Sequence, residues 1–308
     1  MNEQRKPELL VTAKNLDELR QLVDAGADAI NIGGDKYGLR VAGDFSLDMM
    51  KKGIEIAHEK QVKVYVSMNT LMHNEDLEGL DEYLKSLADL QADGIIFGDP
   101  AVFITAKETV PHLPLHWNTE TTSTNFETVH YWAEKGVTRA ILARELSLEE
   151  VIEIKKKVDI EIQVQIHGMT CIFHSKRELV TSYLQHIEHE TVYHGVAKEK
   201  KLFLREHKRP DETYPVFEDR HGTHIMSNHD ICMIEHLGQL IEVGIDSLKI
   251  DGILHDTNYV VTVTKLYREA IDAAFKHQST AHFMEKIKAI QPENRPLDTG
   301  FYFKELFY

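Results

Sequence analysis

The sequence predicts a closed α/β fold, a TIM-like (β/α)8 barrel interrupted by one insertion between its seventh and eighth strands. Three observations predict it. Short apolar runs alternate with amphipathic segments from Glu8 onward, and the intervening helices are long enough to return the chain for parallel pairing. Seven such units are followed by one late strand and a long helix, which gives the eight that closure needs. The alternation breaks only between roughly residues 171 and 230. One large decorated barrel accommodates all 308 residues. A doubly wound open sheet is the competing arrangement, because periodicity alone does not report closure.

ELLVTA reads as the first strand, and NLDELRQLVDAG as a helix closed by Gly26. DAINIGG is the second strand; its loop, DKYGLRVAGDFS, holds glycines that permit unusual backbone angles. LDMMKKGIEIAHEK repeats apolar residues at helical spacing. VKVYVSMN, DGIIFGD, LPLHWNTE and RAILARE supply strands three to six. The helices EDLEGLDEYLKSLADLQ, PAVFITAKETV and NFETVHYWAEKG lie between them, the second with proline where a helix start tolerates it. SLEEVIEIKKK and EIQVQIHG complete the regular part, and DSLKIDG with NYVVTVTKLYREAIDAAF forms the eighth unit. Residues 1–170 therefore hold seven βα units, 171–230 the insertion, and 231–308 the last unit with an aromatic tail. The insertion is expected to contain a helix, SKRELVTSYLQH, and a hairpin of KLFLRE and YPVFED that turns at RPDE. Insertions at that end of a barrel overlie its active face. The five aromatics of NRPLDTGFYFKELFY predict a tail that packs on the barrel or enters an interface, one between copies of the chain included. Trp117 and Trp132 are expected in the core.

A composition of 42% hydrophobic and 28% charged residues belongs to a globular enzyme rather than a disordered segment. The net charge of −15 repels a phosphate backbone, so contact with nucleic acid has to come from a local basic patch. Two cysteines, Cys171 and Cys232, exclude a secreted disulfide scaffold. The N-terminus lacks a signal-like apolar run and no stretch has the length of a membrane span. The expectation is a cytoplasmic protein without a membrane partner.

The C-terminal ends of parallel barrel strands face the catalytic mouth. Those positions hold Asn69, Asn118, Glu120, Arg144, Glu145, His167, Lys249 and Asp251, and Arg40 lies in the glycine-flanked loop after strand two. Arg40, Arg144 and Lys249 together suit a small dicarboxylate. Glu120, Glu145 or Asp251 are placed to orient them or exchange a proton. An ion-pair network at the mouth is the alternative for each. The run KEKKLFLREHKR carries Lys198, Lys200, Lys201, Arg205, Lys208 and Arg209 against two glutamates. With Phe203 and Tyr193 it is an expected RNA contact, or else a charged edge that blocks strand pairing. His186 with His189, His221 with His224, and His229 with Cys232 and His236 have spacings open to metal, without forming a known signature. The sequence has no GxSxG elbow, HExxH helix or cysteine–histidine signature of a protease.

GADAINIGG, YGLR, HNEDLEGLDEYL, LARELSLEE, HGMTCIFHSKR, SNHDICMIEH, GIDSLKIDG, YVVTVTKLYREAID and NRPLDTGFYF together resemble the U32 peptidase-like, or collagenase-like, family across most of the chain. The resemblance implies oxygen-independent hydroxylation: of the transfer-RNA wobble uridine with prephenate as co-substrate, of ribosomal RNA, or of ubiquinone precursors. It places Arg144 and Glu145, within LARELS, first among the catalytic candidates. It also implies that a short member acts with a longer paralogue on transfer RNA. Relatives hold a four-iron four-sulfur cluster on four cysteines. Cys171 and Cys232 match the first and fourth, Glu178 stands at the second, and the third has no counterpart. An intact iron–sulfur cluster is therefore not expected in this chain alone, and its own cofactor is left open. A peptidase and a non-catalytic scaffold subunit are the alternative functions.

Overall fold

The first unit sets the pattern. Strand β1 (Glu8–Thr12) passes to helix α1 (Leu16–Asp24) through Asn15, whose side chain accepts from the Glu18 N–H and satisfies one donor that a helix start leaves orphaned. There follow β2 (Ala29–Gly33), α2 (Leu47–His58), β3 (Lys63–Met68), α3 (Leu80–Asp89), β4 (Gly94–Phe97), α4 (Pro100–Thr109), β5 (Leu115–Asn118), α5 (Phe126–Glu134), β6 (Arg139–Ile141), α6 (Leu148–Lys157) and β7 (Glu161–Gly168). The insertion comprises β8 (Cys171–Ser175), α7 (Leu179–Glu188), β9 (Leu202–Glu206), β10 (Arg209–Asp219) and β11 (Gly222–Met226). The chain returns through β12 (Asp230–Cys232), α8 (Leu237–Val243), β13 (Ser247–Asp251), α9 (Thr257–Phe275), α10 (Ala281–Ile290) and β14 (Leu297–Asp298). The computed structural model describes residues 5–118, 124–188 and 198–304.

Strands β1 to β7 pair in parallel with their sequence neighbours, and β13 pairs in parallel with both β7 and β1. The eight-stranded barrel is closed, which rules out the open sheet. Alternation along each strand then fixes two cores. Outward residues such as Leu9, Val11, Ile30, Val64, Val66 and Phe97 meet the helices in one continuous apolar layer. Inward residues form a small plug of Leu10, Ala29, Tyr65 and Ile96. Toward the N-terminal ends of the strands, Arg139 is buried and bonds Glu8 at 2.6 Å and Glu161 at 2.7 Å. Toward the C-terminal ends the lumen is polar, with Thr12, Asn31, Ser67, Gln163 and Gln165 buried.

Strands β8 to β11 form a separate four-stranded antiparallel sheet. Its buried Glu218 accepts from the Val180 and Thr181 N–H groups, which anchors the start of α7 on one face. The tail lies on the barrel as far as it is described: β14 pairs with β12, and the buried Tyr302 donates to the Gln165 carbonyl at 2.8 Å. Trp117 is buried in the helix–strand layer and Trp132 is partly buried against it. Among the described residues no helix is long and apolar enough to cross a membrane.

The insertion adds β8 and β11 to the expected hairpin, and the structure departs from the sequence expectation at three further elements. EDLEGLDEYL is not one helix: a 3-10 turn (Asn74–Leu77) ends before Gly79, whose φ of 75° is left-handed and restarts the helix at Leu80. The hairpin turns at His207 and Lys208 instead of RPDE. Arg209 to Glu212 lie inside β10, where a register shift between Arg209 and Thr213 accommodates Pro210. Helix α7 starts at Leu179, because Ser175 belongs to β8.

Candidate functional site

A cleft opens at the C-terminal ends of the barrel strands. Its lining includes Arg40, Asn69, Asn118, Arg144, Lys249 and Asp251, with Thr12, Asn31, Ser67, Gln163 and Gln165 deeper in the lumen. Six residues expected at the mouth therefore converge. Lys249 and Asp251 both face inward from β13 and pair at 2.9 Å. Burial pushes the Asp251 carboxyl up, but Lys249 and nearby Arg144 outweigh it and hold the pKa below the ordinary value, so Asp251 is an anion. Burial lowers the pKa of Arg40, and Arg144 lowers it further, against the pull of Cys171, Asp251 and Asp219. Arg40 and Arg144 are close enough to repel, beside the Lys249–Asp251 pair.

Arg40 owes its place to a loop of residues 35–46 that is fastened from outside. Its φ of 54° is unusual for a side-chain-bearing residue. Gly43 lies so close to Lys14 that a Cβ would stand 1.8 Å from the Lys14 carbonyl oxygen, so no larger residue fits. Asn69 holds the loop through its amide: Leu39 N donates to Oδ1 at 2.9 Å, and Nδ2 donates to the Leu39 carbonyl. Asn69 thus positions the Arg40 loop, in addition to lining the cleft. The insertion supplies two more fastenings. Lys198 Nζ donates to the Val41 carbonyl at 2.7 Å and lies over the Phe217 ring. His221 contacts the Asp35 carbonyl through Nε2 at 2.7 Å and Thr70 through Nδ1 at 3.2 Å.

Other expected residues lie elsewhere. His167 is buried beneath α9, with Nε2 at 2.8 Å from Tyr259 Oη and Nδ1 at 3.3 Å from Tyr267 Oη. The register between β7 and β13 shifts at this point, Lys249 pairing with Gln165 and Ile250 with His167, and the extra residue turns the imidazole out of the lumen. Burial lowers its pKa to about 4. Glu145 is exposed: β6 ends at Ile141, and Arg144 and Glu145 share a turn from which only Arg144 joins the cleft. Glu120, Tyr193 and His189 lie outside the described residues. Gln163 and Gln165 are not among the strand-end residues that sequence reasoning selects, although QVQ in β7 carries the signal: polar residues alternating along a barrel strand point inward.

The cysteines differ in setting. Cys171 is half-buried and its Sγ donates to the Phe173 carbonyl at 3.1 Å. Cys232 is buried and receives the Tyr267 hydroxyl at 3.5 Å; burial pushes its thiol pKa up, against thiolate formation. Glu178 is exposed. This donor set does not fit a four-thiolate cluster, and among the described residues no three histidine, cysteine or acidic side chains converge on a metal position. Two stacked histidines of the insertion are held by protein partners: His224 by Asp219 at 2.9 Å, and His174 by the His221 carbonyl at 2.9 Å.

The basic run spans a 3-10 turn (Lys198–Lys200), the outer strand β9, the two-residue hairpin turn and the first residue of β10. Lys200, Lys201, Arg205, Lys208 and Arg209 are exposed, whereas Lys198 is the half-buried fastening described above. Arg209 pairs with Glu206 at 2.9 Å and Glu212 at 3.4 Å. Phe203 is 47% exposed and pairs with Pro215, so it shares a sheet face with Arg205, Phe217 and His224. That face leads to the Arg40 loop.

The family described as peptidase family U32 matches residues 14–307. The tRNA hydroxylation protein P2 of Bacillus subtilis (strain 168) is 47% identical, covering 99% of this chain and 100% of that protein. The tRNA hydroxylation protein P1 of the same organism is 38% identical over 87% of this chain and 64% of its own greater length. In Escherichia coli (strain K12), tRNA hydroxylation protein P is 33% identical over 87% of this chain and 68% of that protein. A solved U32 peptidase structure superimposes with a TM-score of 0.50 at 15% identity, covering 79% of this chain and 92% of that one, a likeness of fold alone.

Proposed function

The chain belongs to peptidase family U32, and from that premise we propose that it serves the hydroxylation of transfer RNA. The observation that carries this reading is the 47% identity to a tRNA hydroxylation protein of the same length. The barrel mouth is the small-molecule site. Arg40, Arg144 and Lys249 line the cleft, and prephenate, with two carboxylates for these cations to meet, is the co-substrate assigned to it. Asp251 pairs with Lys249 at 2.9 Å and aims its ammonium group. The insertion is the RNA side. Lys200, Lys201, Arg205 and Lys208 offer exposed charge on an acidic chain, and Phe203 offers a stacking surface on the face that leads to the mouth.

Because two cysteines cannot supply four thiolates, the redox-active group is assigned to the longer paralogue. Bacillus subtilis carries both a longer and a shorter relative of this chain. The peptidase reading gains no comparable support: the Cys171 thiol is turned to a backbone carbonyl and its neighbour His174 to another. Reconstitution tests the assignment. Transfer RNA from cells lacking this gene is incubated with prephenate and the purified chain, its longer paralogue, or both. Hydroxylated wobble uridine is expected only with both proteins; formation by the paralogue alone removes this chain from the reaction, and formation by this chain alone contradicts the division of labour.

A further inference from the structure

The floor of the mouth holds a hydrogen-bond donor that the protein itself leaves unused. Gln163 is 1% exposed and lines the cleft below Arg144 and Lys249. Its Oε1 accepts from Arg139 Nη1 and Ser247 Oγ, each at 3.5 Å. Arginine has only donors to offer, so the amide oxygen has to be the end that faces it. Nε2 is then the end left over, and it has no partner. Among the described residues it is the one cleft-lining side chain with a buried polar atom unpaired. Arg139 is in turn fixed by Glu8 and Glu161, so the amide is held from below by a rigid ionic layer. Buried amide donors are almost always satisfied, and one left unpaired in the lining of a cleft is a place where a ligand that enters can supply the missing acceptor.

We propose that Gln163 is a specificity-determining residue of the mouth, donating from Nε2 to an acceptor oxygen at the inner end of a small carboxylate ligand. The cations at the rim attract negative charge without regard to shape. A single donor at the floor selects ligands long enough to carry an oxygen down to it, and leaves shorter anions bound at the rim only. This inference rests on the small-dianion reading of the mouth and adds the depth at which the ligand is read.

The test is calorimetric titration of the full chain with prephenate, alongside thermal unfolding. Gln163→Met keeps the shape and removes the amide. The expected result is prephenate affinity lowered by roughly tenfold to a hundredfold, the worth of one buried hydrogen bond to a charged group, with the melting temperature unchanged or raised. Gln163→Asn, which withdraws the amide by one methylene, is expected to lose affinity similarly and serves if the methionine variant does not fold. Unchanged affinity in either variant, while Arg144→Met weakens binding, overturns the role of Gln163 and leaves the dianion site standing. A wild-type chain that binds no prephenate overturns both.

Discussion

Lys198 joins the insertion to the loop that carries Arg40, and cutting that link should loosen the mouth without unfolding the barrel. Lys198→Met retains most of the apolar stem and removes the ammonium group that donates to the Val41 carbonyl at 2.7 Å. A hydrogen bond from a charged donor contributes about 1.5–3 kcal/mol, and a cation over an aromatic ring, here Phe217, roughly 0.5–1 kcal/mol more. Asn69 and His221 still hold the loop at Leu39 and Asp35, so the loop is expected to open more often rather than detach. A loss of about 2–4 kcal/mol in the local opening free energy accelerates exchange about 30- to 900-fold. The amides to follow are Asp35, Gly38, Leu39 and Phe45, whose acceptors are Asp44 Oδ1, the Gly34 carbonyl, Asn69 Oδ1 and the Gly33 carbonyl. Hydrogen exchange read by mass spectrometry should show faster exchange across residues 35–46 with β1 to β7 unchanged. Loop amides that exchange at the wild-type rate, with acceleration confined to the hairpin, would refute the coupling.

Phe203→Ala should weaken binding of an anticodon stem-loop by roughly 1–3 kcal/mol if one base stacks there, with no change in melting temperature, since the ring is 47% exposed. Neutralising Lys200, Lys201, Arg205 and Lys208 together should flatten the salt dependence of that binding by about 0.7 for each phosphate that is no longer neutralised; an unaltered slope removes the hairpin from the RNA surface. Asp230 is fully buried between His255 at 3.2 Å and Arg295 at 2.7 Å, and ties the C-terminal segment to β12. Burial raises its carboxyl, but His255 and Arg295 outweigh this and lower the pKa. The native pKa is depressed, so its stabilisation is full above the unfolded value of 3.8 and drains away as pH falls through the native one. Asp230→Asn should therefore cost about 3–5 kcal/mol near neutrality, by leaving Arg295 buried without its counter-charge, and the gap to wild type in denaturant melts should narrow below pH 4. A gap that widens in acid would reverse the assignment.

Fold class is readable because parallel strands and crossover helices impose a period that the chain repeats eight times. What periodicity does not carry is the local slip. Gly79 breaks an otherwise helical pattern with a positive φ, and the register shift opposite Lys249 turns His167 from the lumen to the Tyr259 and Tyr267 hydroxyls. The register shift leaves no mark in residue type or spacing, and a lone glycine inside a helical pattern does not tell whether the helix continues or restarts. Arg40, Arg144, Lys249 and Asp251 are legible because strand ends in a closed barrel converge whatever the sequence between them. Their supports are not. Lys198 reaches Val41 across 157 positions and His221 reaches Asp35 across 186, and partners so distant in sequence leave no local mark. Lys198 belongs by sequence to a run of exposed cations, yet it is tucked under the insertion. Gln163 is recoverable from the polar alternation of EIQVQIHG, since period two puts its two glutamines on one face of the strand.

The most direct test is mass spectrometry of transfer-RNA nucleosides from cells that lack this gene and keep the longer paralogue, complemented with wild type or Arg144→Met. Loss of wobble-uridine hydroxylation, restored by the wild-type chain and not by Arg144→Met, is the predicted result and places the function at the barrel mouth. Hydroxylation that persists at the wild-type level in the deletion contradicts it.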